Sequence, residues 1–192
     1  HLAGVNRTND DEDFYINNSD LSSIICKIIL DNYKETNKHI PVIFSSSSQA
    51  ILNNNYGISK LKAENHFIKL NKEISNPIYI LRLPNVFGKW CKPNYNSVVA
   101  TFCSNIASEK EIIINDPHHN LTLVYIDDLI YKIIDLIKEP FSIDNLYVEI
   151  EPKFNITVGE IANKIKSFKD SRNNLIIDEV GKGLDRCLYA TF

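Results

Sequence analysis

Tyr56 and Lys60 stand four residues apart in Asn55-Tyr56-Gly57-Ile58-Ser59-Lys60, shortly after the serine run Ser45-Ser46-Ser47-Ser48. If this segment is helical, the spacing puts phenol and ammonium on one face, one turn apart. A cation beside a phenol favours the phenolate and lowers a pKa that starts near ~10. A hydroxyl arriving from the end of a preceding strand would complete a group able to pass a proton to a carbonyl or take one from an alcohol. Tyr-x-x-x-Lys also arises by chance, so the weight of the pair depends on the elements that position it.

Those elements read as alternating strands and helices. Residues 1–4 look like the end of a buried strand running into a glycine turn, followed by a polar, acidic loop at 6–13. Leu21, Ile24, Ile25, Ile28, Ile29 and Tyr33 recur at helical spacing, which predicts a helix from Asn18 to about Lys34 capped by Ser19 or Asp20. Ile40 to Phe44 is an apolar run without alternation, as a strand covered on both faces would be, and it ends in the serines. A helix is predicted from Tyr56 to about Lys72, with Ile58, Leu61, Phe67, Ile68 and Leu70 inward. Ile78 to Leu83 is a second buried strand, stopped by Pro84-Asn85 and Gly88.

Further on, the pattern predicts a helix from Val98 to about Ala107 and strands at Ile112–Ile114 and Leu121–Tyr125. A strongly apolar helix follows over Ile126–Lys138, led by Asp127-Asp128, then a strand from Leu146 to Ile150. Thr157-Val158-Gly159-Glu160 has the spacing of a capping box and opens a helix with Ile161, Ala162, Ile165 and Phe168 inward. Leu175 to Ile177 reads as a last strand before irregular sequence. Together these predict an α/β fold on a parallel sheet. Ligands of such sheets bind outside the carboxyl ends of the strands, where Ala3-Gly4, the serines and Pro84-Asn85 all fall.

Composition narrows the function classes. At 192 residues, 44% apolar and 23% charged, the chain has enough sequence for one substantial core or a domain with an appended lobe. Basic residues are scattered and outnumbered, 21 against 24 acidic, which argues against a nucleic-acid partner. The apolar run Ile24–Leu30 is broken by Lys27, so no membrane span is expected. Cys26, Cys91, Cys103 and Cys187 lack metal-ligand spacing and read as reduced thiols of a cytoplasmic protein. No metal site is expected, and the pair His118-His119 reads as a solvated loop. There is no Met, including at position 1, which suggests a piece of a longer protein.

Several stretches, in order, resemble the extended short-chain dehydrogenases/reductases of the NAD-dependent epimerase/dehydratase family. They are His1-Leu2-Ala3-Gly4, Tyr15-Ile16-Asn17-Asn18, Phe44-Ser45-Ser46-Ser47, Tyr56-Gly57-Ile58-Ser59-Lys60, Arg82-Leu83-Pro84-Asn85-Val86-Phe87-Gly88 and Tyr125-Ile126-Asp127-Asp128. The run from Arg82 to Ala107, with Leu121–Asp128 and Ser167–Leu175, is similar to capsular-polysaccharide UDP-ketosugar reductases of the UDP-N-acetyl-L-fucosamine pathway.

The resemblance implies a Rossmann-like parallel sheet with helices on both faces, plus a small α/β substrate-binding lobe. Residues 1–88 would be the C-terminal part of the dinucleotide-binding domain. Residues 89–192 would be the substrate lobe, with returning Rossmann elements at about 121–150. It implies NADP(H) or NAD(H) as cofactor and a UDP-sugar as substrate, with hydride transfer to a 4-keto carbon by a cytoplasmic homodimer. Tyr56 would be the general acid, Lys60 would tune it and bind the nicotinamide ribose, and Ser47 would donate to the same sugar oxygen, with Ser46 the alternative. Leu2, Ala3, Gly4, Asn18, Ser45 and Leu83 would contact the cofactor. Asn85, Asn94, Tyr95 and Asn96, with Ser46, would contact the sugar nucleotide.

Departures from the family pattern are as informative. The glycines at 4, 57, 88, 159, 181 and 183 form no G-x-x-G-x-x-G turn of the kind that holds a pyrophosphate at a helix N-terminus. The resemblance therefore implies a central fragment lacking roughly the first three βα units and a C-terminal cupin domain. Asp20 stands where the family has Gly. Ser48 and Gln49 occupy the positions of the Asp-Glu pair that sugar 4,6-dehydratases need, which disfavours dehydration. A 4-epimerase, or a non-catalytic remnant, stays open.

Overall fold

The fold is taken from a computed structural model that describes residues 1–138 and 146–192. The chain divides into two compact units, residues 1–84 with 132–150 and residues 85–131 with 151–192.

In the first unit, β1 (Val42–Ser47) pairs in parallel with β2 (Ile78–Leu83), Val42 opposite Ile78 and Ser47 opposite Leu83. Phe44, Ile78, Ile80 and Leu81 are buried, the signature of parallel strands covered on both faces. His1 extends this sheet beside β1. Its amino group donates to the Ile43 carbonyl at 2.8 Å and its carbonyl accepts from Ser45 N–H at 3.1 Å, the pattern of a parallel pairing opposite Phe44. On the other edge, Ile80 makes a parallel bridge with Tyr147 through backbone hydrogen bonds to Leu146 and Val148. The predicted strand at 146–150 is thus reduced to that bridge.

The helical layer begins earlier than expected. The acidic stretch predicted as loop folds as α1 (Asp11–Phe14), capped by Asp10, whose carboxylate accepts from Glu12 N–H. It runs through a π-helical segment, Tyr15–Asp20, into α2 (Leu21–Thr36). Neither Ser19 nor Asp20 caps anything, because the helix is already under way. The long helix α3 (Asn55–Ile74) is capped by Asn54, whose side chain accepts from Gly57 N–H at 2.8 Å. Asn76, fully buried, accepts from Ile40 N–H and donates back to the Ile40 carbonyl, tying the exit of α3 to the entrance of β1. Phe44, Ala63, Phe67, Leu70 and Ile29 close the core.

In the second unit, β3 (Asn85–Phe87) and β4 (Asn120–Tyr125) are parallel, and β5 (Phe154–Thr157) joins β4 antiparallel. Helices α4 (Val98–Ala107), α6 (Val158–Asn174) and α7 (Gly183–Thr191) supply Phe102, Ile161, Ile165, Phe168 and Leu188 to one core. Thr157 and Glu160 make the expected capping box. Helix α5 (Ile126–Lys138) has the predicted bounds, with Asp127 and Asp128 in its first turn, where carboxylates oppose the helix dipole favourably.

Two sequence expectations fail here. Ile112–Ile114 is not a strand: Ile112 and Ile114 pack on the core from irregular chain while Ile113 faces out. Leu175–Ile177 is exposed coil. β2 stops at Leu83 before Pro84-Asn85 as expected, and Asn85 then opens the unexpected short strand β3.

Candidate active site

The site is built where β1 turns into α3. Ser47 ends β1 and caps the short 3-10 turn Ser48–Ile51, its Oγ accepting from Gln49 N–H at 3.1 Å. Because Ser47 lies opposite Leu83, both sit at the carboxyl ends of neighbouring parallel strands, the edge where ligands of open α/β sheets bind. α3 then starts against the 3-10 turn and presents Tyr56 in its first turn and Lys60 one turn later.

Tyr56 is half-buried, its ring tilted against Phe14 at 5.8 Å between centroids. Burial raises its pKa, and a side-chain hydrogen bond with Ser47 offsets part of that rise. Ser47 is the serine whose side chain meets Tyr56, and the Ser46 hydroxyl, buried, is bonded to Glu64 Oε1. Ser46 therefore has no hydroxyl proton left for a ligand in this arrangement.

Lys60 corrects another expectation. Its ammonium lies 6.0 Å from the Tyr56 ring centre and donates to the Ser45 carbonyl at 3.1 Å, and it does not pull the phenol down. Only 6% of Lys60 is exposed. Burial lowers its pKa to about 8, against an upward pull from Glu64. The pair is thus a neutral phenol beside an amine poised near neutrality.

Asn18 sits beneath this group and is 1% exposed. Its Oδ1 accepts from Val5 N–H at 2.9 Å, and its Nδ2 donates to the Val5 carbonyl at 2.9 Å and to Ser59 Oγ at 3.0 Å. The carboxamide expected to touch a cofactor pins Val5 to Ser59 of α3. Leu2, Ala3 and Gly4 themselves are exposed. Gly4 is needed for close approach, since a Cβ there would lie 2.5 Å from Asn18 Oδ1 and 3.2 Å from Lys60 Nζ. Gly4→Ala is expected to lower the unfolding free energy by about 1–3 kcal/mol, the usual range for overpacking, in urea denaturation. Parental stability would show that Asn18 yields freely.

The remaining predicted contacts belong to the second unit. Asn85 is exposed and donates to the Thr122 carbonyl at 3.2 Å across the β3–β4 pair. Asn94 has a left-handed backbone, φ 54°, and its N–H donates to Thr101 Oγ1. Tyr95 and Asn96 are exposed, with the Lys92 ammonium 5.5 Å from the Tyr95 ring centre. Among the described residues no His, Cys, Asp and Glu group is arranged to hold a metal ion.

The sequence reading missed Glu64, Arg82 and Tyr147. Glu64 is fully buried on α3 one turn after Lys60, and it receives Arg82 Nη2 at 2.6 Å, Arg82 Nε at 2.9 Å and the Tyr147 hydroxyl at 3.0 Å. The available signal was Arg82 inside the apolar run Ile78–Leu83, a charge that demands a partner.

Residues 2–150 match the model of the NAD dependent epimerase/dehydratase family. The chain is 44% identical over 192 residues to the UDP-2-acetamido-2,6-beta-L-arabino-hexul-4-ose reductase of Pseudomonas aeruginosa, covering all of this chain and 50% of that protein. It spans about half the length of the curated relative it matches. The capsular polysaccharide assembling protein CapF from Staphylococcus aureus superposes with a TM-score of 0.77 at 40% identity, over 86% of this chain and 46% of CapF. The fold alone is shared with UDP-glucuronic acid 4-epimerase from Bacillus cereus in complex with NAD, TM-score 0.80 at 19% identity, over 100% of this chain and 70% of that one. With the match running through every element from the exposed 2–4 segment to the Tyr147 bridge, the chain belongs to the NAD dependent epimerase/dehydratase family.

Proposed function

We propose that the protein reduces the 4-keto group of a UDP-linked N-acetyl 6-deoxy hexulose with NADPH or NADH, as a cytoplasmic homodimer in capsular or surface polysaccharide synthesis. The observation that carries this reading is the placement of Ser47 at the carboxyl edge of β1 and β2 beside Tyr56 in the first turn of α3, with Lys60 one turn along. The named activity of the Pseudomonas aeruginosa relative supports the substrate class.

When bound, the nicotinamide supplies the hydride. Tyr56 gives its proton to the oxygen of the reduced carbon, and the raised pKa keeps that proton in place until charge develops there. Ser47, already bonded to Tyr56, donates to the same oxygen and holds it. Lys60, released from the Ser45 carbonyl, stabilises the phenolate left behind. Leu83 and the exposed Leu2, Ala3 and Gly4 offer the wall that the nicotinamide ribose needs, and Ser45 contributes backbone there. The fit is to that half of the cofactor, because no glycine-rich turn in the sequence is shaped for the pyrophosphate. Asn85 and Asn94 to Asn96 are the proposed sugar-nucleotide contacts.

Titrating the protein with NADPH while following nicotinamide fluorescence, then adding the ketosugar nucleotide, tests the proposal. Binding followed by stoichiometric NADPH oxidation is expected. Sugar conversion with no net NADPH consumption would favour the 4-epimerase reading. No binding at millimolar cofactor would end the case for catalysis by this chain and favour a partner-binding remnant.

A further inference from the structure

Trp90 is the sole tryptophan of the chain, and it is 98% exposed on the loop that leaves the carboxyl end of β3. So large an apolar ring is ordinarily covered. Its backbone is left-handed, φ 62°, and so is that of Asn94, φ 54°. For a bulky residue that conformation is an outlier, and such outliers gather where a loop is shaped around a ligand. From Gly88 to Ser108 the chain has no acidic residue, while Lys89 and Lys92 flank the tryptophan. The Lys92 ammonium lies 5.5 Å from the Tyr95 ring centre. Lys89 reaches Asp127 only at 3.8 Å, a solvated ion pair that leaves most of its pull on an anion intact. Trp90 also lines a cavity of about 210 Å³, together with Pro93 of the same loop, Ala100, Cys103 and Ser104 of α4, and Thr191 of α7. Pockets that enclose a whole drug-sized ligand run to ~300–1,000 Å³, so this one admits a single ring.

We propose that Trp90 is the stacking platform for the uracil ring of the sugar nucleotide, which enters this cavity while Lys92 and Lys89 hold the diphosphate at its rim. A flat apolar surface suits the face of a base, since every base has a π-face to stack. The two hydroxyls suit its polar edge. Thr191 Oγ1 donates to the Cys187 carbonyl at 2.7 Å, so toward a ligand it can only accept, as from the ring N–H of uracil. The Ser104 hydroxyl rotates and can donate to a ring carbonyl. The lysines, with no acid in the loop to oppose them, supply the charge complement of an anion attached to that ring. That the ring is uracil rests on the UDP-sugar reading, whereas a preference for a planar ring joined to an anion rests on the loop and its cavity.

The lone tryptophan makes the test direct, because emission excited beyond the tyrosine and uracil absorption bands reports on Trp90 alone. Titrating the intact 192-residue chain with UDP should quench that emission saturably. Inorganic diphosphate has no ring to stack, so it should leave the emission unchanged yet compete with UDP for the lysines. In Trp90→Ala, calorimetry should show the Kd for UDP raised by about 5- to 100-fold, with that for inorganic diphosphate unaltered. Trp90→Phe, which keeps a ring, should recover most of the loss. A linear fall in emission that never saturates marks collisions in solution and overturns the proposal. Parental UDP affinity in Trp90→Ala overturns it as well. UDP that binds the parent by calorimetry without changing its emission overturns it while leaving the sugar-nucleotide reading in place. Absence of UDP binding at millimolar concentration would end both.

Discussion

Replacing Tyr56 with phenylalanine is expected to lower turnover by about 10²–10⁴-fold, the usual worth of a positioned general acid, with cofactor affinity essentially unchanged. The change removes one oxygen. The ring keeps its place against Phe14, and the side chain is only half-buried, so little packing is lost. What disappears is the hydroxyl that bonds Ser47 and carries the proton. A loss confined to kcat marks an interaction made in the transition state, whereas a raised KM would mark uniform binding. Ketosugar-dependent NADPH oxidation, run beside a nicotinamide fluorescence titration, separates the two. Near-normal turnover would remove Tyr56 from the mechanism.

Gly57→Ala should be the most disruptive of the small substitutions, against the ordinary rule. Within a helix, alanine is favoured over glycine by about 1 kcal/mol. At position 57, however, a Cβ would lie 2.2 Å from the Gln49 carbonyl oxygen and 2.9 Å from that of Leu52. Both are backbone atoms of the 3-10 turn and its exit, so no rotamer change relieves the clash. The start of α3 must move off the turn, at a cost of about 1–3 kcal/mol or more, which exceeds the propensity gain. The same movement draws Tyr56 away from Ser47. Urea denaturation should show reduced stability, and turnover should fall with it. Stability equal to the parent would mean that the turn accommodates the methyl group and that Gly57 is not what seats α3.

What could be read from the chain follows from how local each cause is. β2 and α4 have the predicted bounds because a continuous apolar run and a Ser97-capped apolar helix are decided within their own residues. The capping box at Thr157 is likewise self-contained. Strands β3 and β5 escaped notice because three- and four-residue strands are made by their partner, here β4. Ile112–Ile114 and Leu175–Ile177 have β-branched sequence but no neighbour to pair with. The inward face of α3 was misjudged for a related reason. Leu61, assigned to the core, is exposed, while Lys60 and Glu64 are buried because Ser45, Arg82, Tyr147 and Ser46 satisfy them from distant positions. Apolar periodicity cannot register a buried charge whose partners lie elsewhere in the chain. The spacing of Tyr56 and Lys60 was visible. The direction of the Tyr56 pKa was not, since it depends on burial and on where the ammonium points.

The π-helical segment Tyr15–Asp20 bears on insertions and deletions. Leu21 N–H bonds back to the Ile16 carbonyl, five residues away, so this stretch holds one residue more than an α-helical path of the same span. The surplus residue lets Asn18 turn toward Val5 while the downstream helix keeps Ile29 in the core. Chain length here matters as much as residue identity. Removing one residue between Tyr15 and Asp20 would let the same span wind as regular α-helix, keeping the downstream helix in place while changing the local direction in which Asn18 points. Ile29 would stay in the interior, and the cost would fall on the hydrogen bonds between Asn18 and Val5. A one-residue gap within this segment of a family alignment would therefore leave the downstream helix in register and identify relatives that hold the first segment by other means.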